Sequence, residues 1–368
     1  MKNHLLKLAI LLLLFSNHCS NSVSREILIE EKNNVLEIVH EKVKSAVISD
    51  IGYPSVFLDN NNVYINGLTM KGQEIPIVRK YDSELNFLSD KTFCIGQGPS
   101  DLGGGSQFFS TVNAILVPDN LQKRVNIFDK NFCFVKFVNI PSYLPITFIK
   151  GGEYFIGSKI SIEKDKASVS IELVTFPGLT RKKIHSIAPI KVFEPRLIIG
   201  NSPEFEYFYK YYRNSNRIYF INMNTYTVIV FDLNGKIIKK VRLNVSIKKV
   251  PKEIKNLWLS EQSPTRRTMD KKILTDWIQP ATKAIPLEKG FVVIRREGYS
   301  TDCSGLVDGD YFNYDLELLG KVKFPCFYRI FTLRRGQPTR SIYSSNGFIY
   351  LVNDNEEEYF LEKWRITE

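Results

Sequence analysis

One short pattern recurs along this chain: an alternating apolar strand that closes on an aromatic-Asp pair, a turn rich in Asn or Gly, then a second strand. It stands at Tyr81-Asp82, Phe128-Asp129 and Phe231-Asp232, and again in Tyr311-Phe312-Asn313-Tyr314-Asp315. Asp82, Asp129 and Asp232 are spaced by about one and then two blade lengths of roughly 40–45 residues. Sheets of this size cannot bury both faces alone, so a chain that repeats them must stack each on its neighbours. The expected fold is all-β, a six-bladed β-propeller. The blades run over about Val56–Phe93, Ala114–Val138, Phe148–Ile187, Ile218–Leu243, Gly290–Phe324 and Ser341–Trp364.

Two further stretches complete the expected ring. Glu26–Glu30 and Val35–Val39 read as short strands around an Asn33-Asn34 turn, and Phe348–Val352 with Tyr359–Trp364 offers partners for closure of the N- and C-terminal strands. Closure removes the sheet edges that invite aggregation. Between about 250 and 280 the period changes from two to three and four, over Val250–Leu259 and Met269–Ile278, with Pro251 and Pro280 as punctuation. A short helical insertion is expected there, emerging on one face as a lip beside the channel.

The 43% apolar and 12% aromatic content is ample for one large core, so residues 25–368 are read as a single domain. The net charge of +11 is scattered in doublets such as Lys182-Lys183, Lys239-Lys240, Lys271-Lys272 and Arg334-Arg335. Without a helix-turn-helix, zinc-finger or RNA-recognition pattern, these do not point to a nucleic-acid partner.

Lys2 and Lys7 flank the start of the apolar run Leu8–Phe15, the charged and hydrophobic regions of an export signal too short to span a bilayer. With Cys19 directly after it, the segment resembles a bacterial lipoprotein signal, which implies a signal peptide over 1–18, cleavage before Cys19 and lipidation of that cysteine. Ser16-Asn17-His18 departs from the usual small residues of that box; plain secretion after Ser20-Asn21-Ser22 is the alternative. Either route exports the chain, to the periplasmic or surface face of a cell envelope if it is anchored. Cys94, Cys133, Cys303 and Cys326 are read as buried free thiols, with Cys303–Cys326 as the local pairing if disulfides form.

Phe93-Cys94-Ile95-Gly96-Gln97-Gly98-Pro99-Ser100-Asp101-Leu102, Tyr226–Lys236 and Asp310–Pro325 resemble the NHL-like six-bladed β-propeller family of exported bacterial lipoproteins. The resemblance implies a fold and an anchored location, and no particular reaction. Gly96 and Gly98 are expected to take positive φ in the turn, with Pro99 fixing its exit.

No motif supplies a catalytic residue, a metal site or a cofactor loop. His40 and His185 lack a nucleophile elbow or ligand spacing. Asp308-Gly309-Asp310 and Glu356-Glu357-Glu358 read as loops, the first as a turn. The repeated Asp residues read as turn caps whose aromatic neighbours pack between sheets. The candidate ligand-binding residues are aromatic and cationic: Tyr207, Tyr209, Tyr211 and Arg213 in the run Glu204–Arg213, with Arg295 and Tyr299 as a second group. The favoured function is an exported, lipid-anchored protein that binds an envelope ligand or protein partner at its channel mouth. The alternative is a hydrolase or lyase working on a carbohydrate or lactone from the central funnel.

Overall fold

A computed structural model describes residues 26–367 except positions 49, 60–61, 71–73, 104–106, 141–143, 164–165, 192–206, 213–215, 223–224, 246–251, 254–255, 257–259, 261–280, 296–305, 326–341, 346 and 355–357. The N-terminal chain supplies β1 (Ile27–Glu30), β2 (Val35–Leu36) and β3 (Val39–Val47). Blade 1 holds β4 (Ile51–Asp59), β5 (Asn62–Thr69), β6 (Pro76–Tyr81) and β7 (Phe87–Thr92). Blade 2 holds β8 (Phe109–Ser110), β9 (Ile115–Asp119), β10 (Arg124–Phe128) and β11 (Phe134–Asn139). Blade 3 holds β12 (Leu144–Ile149), β13 (Tyr154–Glu163), β14 (Lys166–Thr175) and β15 (Arg181–Lys191). In blade 4 these positions are β16 (Tyr207–Tyr212), β17 (Arg217–Asn222), β18 (Thr227–Asp232) and β19 (Ile237–Asn244). Blade 5 has β20 (Ala281–Pro286), β21 (Gly290–Arg295), β22 (Leu306–Asn313) and β23 (Leu318–Pro325). Blade 6 has β24 (Ile342–Ser345), β25 (Phe348–Asp354) and β26 (Tyr359–Thr367), and takes β3 as its outer strand.

The six sheets form a closed ring, a six-bladed β-propeller. First strands of neighbouring blades touch, β4 with β8, β16 with β20, β20 with β24 and β24 with β4, so they face the axis. The apolar core is divided into six clusters, one at each blade interface. Pleating explains the division: Ile218 and Phe220 of β17 pack toward blade 3, while Tyr219 and Ile221 pack toward blade 5. A blade covered on both faces needs apolar residues at successive positions, hence the buried run Val228-Ile229-Val230-Phe231.

The turns between third and fourth strands explain the recurring pattern. Asp82 Oδ1 accepts from the backbone N–H groups of Glu84 and Asn86, Asp129 Oδ1 from those of Asn131 and Cys133, and Asp232 Oδ1 from that of Lys236. The fourth turn residue has positive φ, at Leu85, Phe132, Gly235 and Leu316, and creates a bulge that ends the ladder. Leu85, Phe132 and Leu316 are buried, so burial offsets a backbone cost of about 1–2 kcal/mol each. The aromatic partners Tyr81, Phe128, Phe231 and Phe312 are buried between blades, as expected. In blade 5 the cap is Asn313, whose Oδ1 accepts from Asp315 and Glu317, and Asp315 sits inside the turn. Blade 3 uses Thr175 in the same role.

The N-terminal chain departs from the expected hairpin. β1 and β2 do not pair with each other: β1 adds in parallel to β19 and β2 in parallel to β23, which makes blades 4 and 5 five-stranded. Closure falls to β3, antiparallel to β26. The first described residues thus form a strap over the outer edges of blades 4, 5 and 6. Within the expected insertion Lys252, Glu253, Asn256 and Ser260 are helical; the second expected helix, and Cys19, Cys303 and Cys326, lie outside the described residues. Cys94 and Cys133 are free but exposed, since both belong to segments at the ends of outer strands rather than to an interface core.

Candidate functional site

Strand order decides which connections share an end of the ring. In each blade the first strand runs one way and the second back, so loops joining second to third strands, and those joining one blade to the next, emerge together. That end carries 93–108, 192–206, 245–280, 296–305 and 326–341. The opposite end has short turns such as 82–86, 129–133, 233–236, 287–289 and 314–317. The long connections therefore join strand ends at one end of the ring and the short turns at the other.

The described part of this mouth begins with the segment after β7. Phe93, Leu102 and Phe108 plug the core between blades 1 and 2. Between them the chain loops out and is held by blade 2: Arg124 Nη2 donates to the carbonyls of Gly98 at 2.6 Å and Asp101 at 2.9 Å, and Gln122 Nε2 to that of Gly96 at 2.7 Å. Asp101 Oδ2 accepts from Gly98 N–H. Gly96 and Gly98 are not among the positive-φ residues, contrary to expectation. Their reason is space, because a Cβ would stand 2.3 Å and 2.7 Å from Asp101 Oδ2. The amide of Gly98 is spent on Asp101.

A second polar cluster ties blades 4 and 5 to the strap. Asp310, fully buried in mid-strand β22, accepts from Arg295 Nε and Nη2, both at 2.6 Å, and from the Tyr226 hydroxyl. Arg295 Nη1 continues to Glu31 at 2.9 Å, where Lys321 stands 3.4 Å away. Tyr226 is itself buried with φ 51°. Burial, with the Asp310 carboxylate beside it, pushes the Tyr226 hydroxyl well above its ordinary pKa. Burial also acts to raise Glu31, but the hydrogen bonds and charges of Arg295 and Lys321 prevail and hold it below the usual value. The expected turn at Asp308-Gly309-Asp310 is therefore strand: Gly309 pairs with Val322, and a Cβ on it would meet Val292 Cγ1 at 2.5 Å. Only a Gly-Asp pair inside an apolar stretch hinted at this cluster in the sequence.

Of the sequence candidates, Tyr207, Tyr209 and Tyr211 lie on β16, the channel-facing strand of blade 4, in register with Asn222, Phe220 and Ile218. Tyr207 begins the strand at the mouth end. Arg295 ends β21 near the same end, with its guanidinium directed to Asp310 and Glu31. Arg213 and Tyr299 lie outside the described residues. His40 lies on the outer strand β3, with Nδ1 against the Ile38 carbonyl. Among the described residues no group of three His, Cys, Asp or Glu side chains could hold a metal ion.

The arrangement defines a protein class, a six-bladed β-propeller. No protein-family model matches the sequence, and none of the curated proteins does. Among solved structures, the chain is similar to a member of the DUF4221 family from Bacteroides vulgatus, with 14% identity and a TM-score of 0.53 over 90% of this chain and 99% of that one. It is similar also to a Bacteroides fragilis protein inferred to be exported, at 15% identity and a TM-score of 0.55, covering 94% and 100% of the two chains. At these identities the likeness is one of fold.

Proposed function

We propose that this protein is an exported, lipid-anchored propeller of the NHL-like kind that binds an envelope ligand or protein partner at its channel mouth, without catalysis. The observation that carries the reading is the one-sided placement of the long connections, with Tyr207, Tyr209 and Tyr211 on the wall strand beneath them. Aromatic rings beside cations stack on sugar rings and peptide side chains, which makes envelope glycans and peptides the ligands to try. Export is supported by the Lys2–Phe15 pattern with Cys19 behind it, and by the exported character inferred for the Bacteroides fragilis relative in fold.

Two measurements test this. Mass spectrometry of the mature N-terminus is expected to find Cys19 acylated and first in the chain. Calorimetric titration with muropeptides and envelope oligosaccharides is expected to show saturable binding that Tyr209→Ala and Arg213→Ala abolish. Binding unchanged in both variants would remove these residues from the site, and an unmodified N-terminus beyond Cys19 would refute the anchor.

A further inference from the structure

The outer groove between blades 3 and 4 gathers charge that the channel mouth does not use. Arg181, Lys182 and Lys183 are exposed at the start of β15. Across the groove, blade 4 contributes Lys236 in its turn and Lys240 and Arg242 on β19. Lys182 reaches across to blade 4: a Cβ on Gly235 would lie 3.6 Å from Lys182 Cδ. The register puts Lys182, Lys240 and Arg242 on this groove, since Lys182 pairs with Leu173 while Lys240 and Arg242 pair with Ile229 and Thr227; Arg181 and Lys183 pair with Val174 and Glu172 and so lie on the face of the same edge strand that looks toward blade 2. Leu173 and Ile229 belong to the core between these two blades. Among the described residues the carboxylates tied to β19 and its turn are Glu26, Glu30 and Asp232. Glu26 pairs with Lys240 at 2.6 Å, and Glu30 accepts from Asn244. Ile27 and Leu28 on the edge strand β1 and Ile238 on β19 are exposed; Leu28 lies in register with Arg242 and Ile27 with Val241.

The strap brings the chain out at this same place. Glu26, the first described residue, sits on Lys240, and β1 lies along β19. Only residues 20–25 separate it from Cys19, so a lipid on Cys19 could stand no more than about 25 Å from the groove even with the linker fully extended. Resting on the lipid-anchor reading, we propose that the outer edge of blades 3 and 4 docks on an anionic lipid surface. The cations meet the headgroups, Ile27, Leu28 and Ile238 meet the interface, and the propeller stands edge-on. Blade 1, opposite blade 4 in a ring of six, then faces away from the membrane, and the mouth opens parallel to it. Charge complementarity calls for a polyanionic surface, and the short tether selects a membrane over a soluble polyanion. Each cation near such a surface strengthens binding about fivefold.

The test is lysine acetylation read by mass spectrometry on the full chain, lipidated in its expression host and reconstituted on phosphatidylglycerol–phosphatidylcholine vesicles or on phosphatidylcholine alone. Lys182 and Lys236 should be protected on the anionic vesicles, while Lys91 on blade 1 stays reactive; high salt should remove the protection. The exposed double variant Lys182→Glu, Arg242→Glu should lose it at Lys236 and show a roughly 25-fold smaller preference for anionic over neutral vesicles. Uniform reactivity on membrane-bound protein would overturn the docking and leave the anchor standing. Equal protection on neutral vesicles would overturn the role of charge. Protection in lipid-free solution, by a second copy or by added duplex DNA, would overturn the choice of a membrane. Protein that binds no vesicle at all would refute both anchor and docking.

Discussion

Arg295 separates a structural strut from a ligand-binding residue, and Arg295→Met tests which it is. The substitution keeps the volume of the side chain and strands the Asp310 carboxylate, which has no solvent exposure, with the Tyr226 hydroxyl as its remaining side-chain partner. Removing one member of a buried ion pair costs about 3–5 kcal/mol, because the charge left behind keeps its desolvation penalty. For a chain of this length the unfolding entropy is on the order of 0.7 kcal/mol per degree, so the melting temperature should fall by about 4–7 °C. Asp310→Asn should cost a similar amount. The double variant should cost less than the sum by about 2 kcal/mol, since neither charge is then stranded. Thermal melts and urea titrations give these values. Hydrogen exchange should also show faster exchange at Ile27–Glu30, because Glu31 loses its Arg295 contact. A melting temperature within about 1 °C of wild type, or costs that simply add, would refute the strut.

The remaining predictions concern the strap, the turns and the mouth. Glu31 has a folded-state pKa below its ordinary 4.5, so its stabilisation is complete above that value and is lost as pH falls through the folded pKa; exchange at Ile27–Leu36 should quicken in that acidic window, and Glu31→Gln should flatten the dependence. Asn313→Ala removes the acceptor of two turn N–H groups and should cost about 1–2 kcal/mol in denaturant titrations, whereas Asn313→Asp should be nearly neutral, as the Asp caps of the other blades imply. Gly98→Ala drives a methyl into Asp101, so limited proteolysis should cut within 95–102 faster while the global melting temperature changes by only a few degrees.

Much of the ring was legible because its physics is local. Caps and aromatics such as Asp82 with Tyr81 and Asp232 with Phe231 repeat for reasons contained in a five-residue turn, and they mark four of the six blades. The innermost strands were harder to read. Ala281–Pro286 falls outside the expected fifth blade because Ala-Thr-Lys-Ala-Ile-Pro carries little apolar bulk, although Ala284 and Ile285 are buried toward opposite neighbouring blades. The candidate site was legible only as a set of residue types: Tyr207, Tyr209 and Tyr211 could be assigned to one alternating face, but not to the wall strand of a particular blade.

By itself, then, the sequence determined the class of fold, the number of blades and the turn that punctuates them, since each follows from periodicity and nearby hydrogen bonds. Tertiary structure alone decided that β1 and β2 strap two separate blades, that Asp310 lies in a buried strand rather than a turn, and that Arg295 holds Glu31. Glu31 and Arg295 lie 264 positions apart in the chain, and no local pattern records which distant charges a closed ring will bring together.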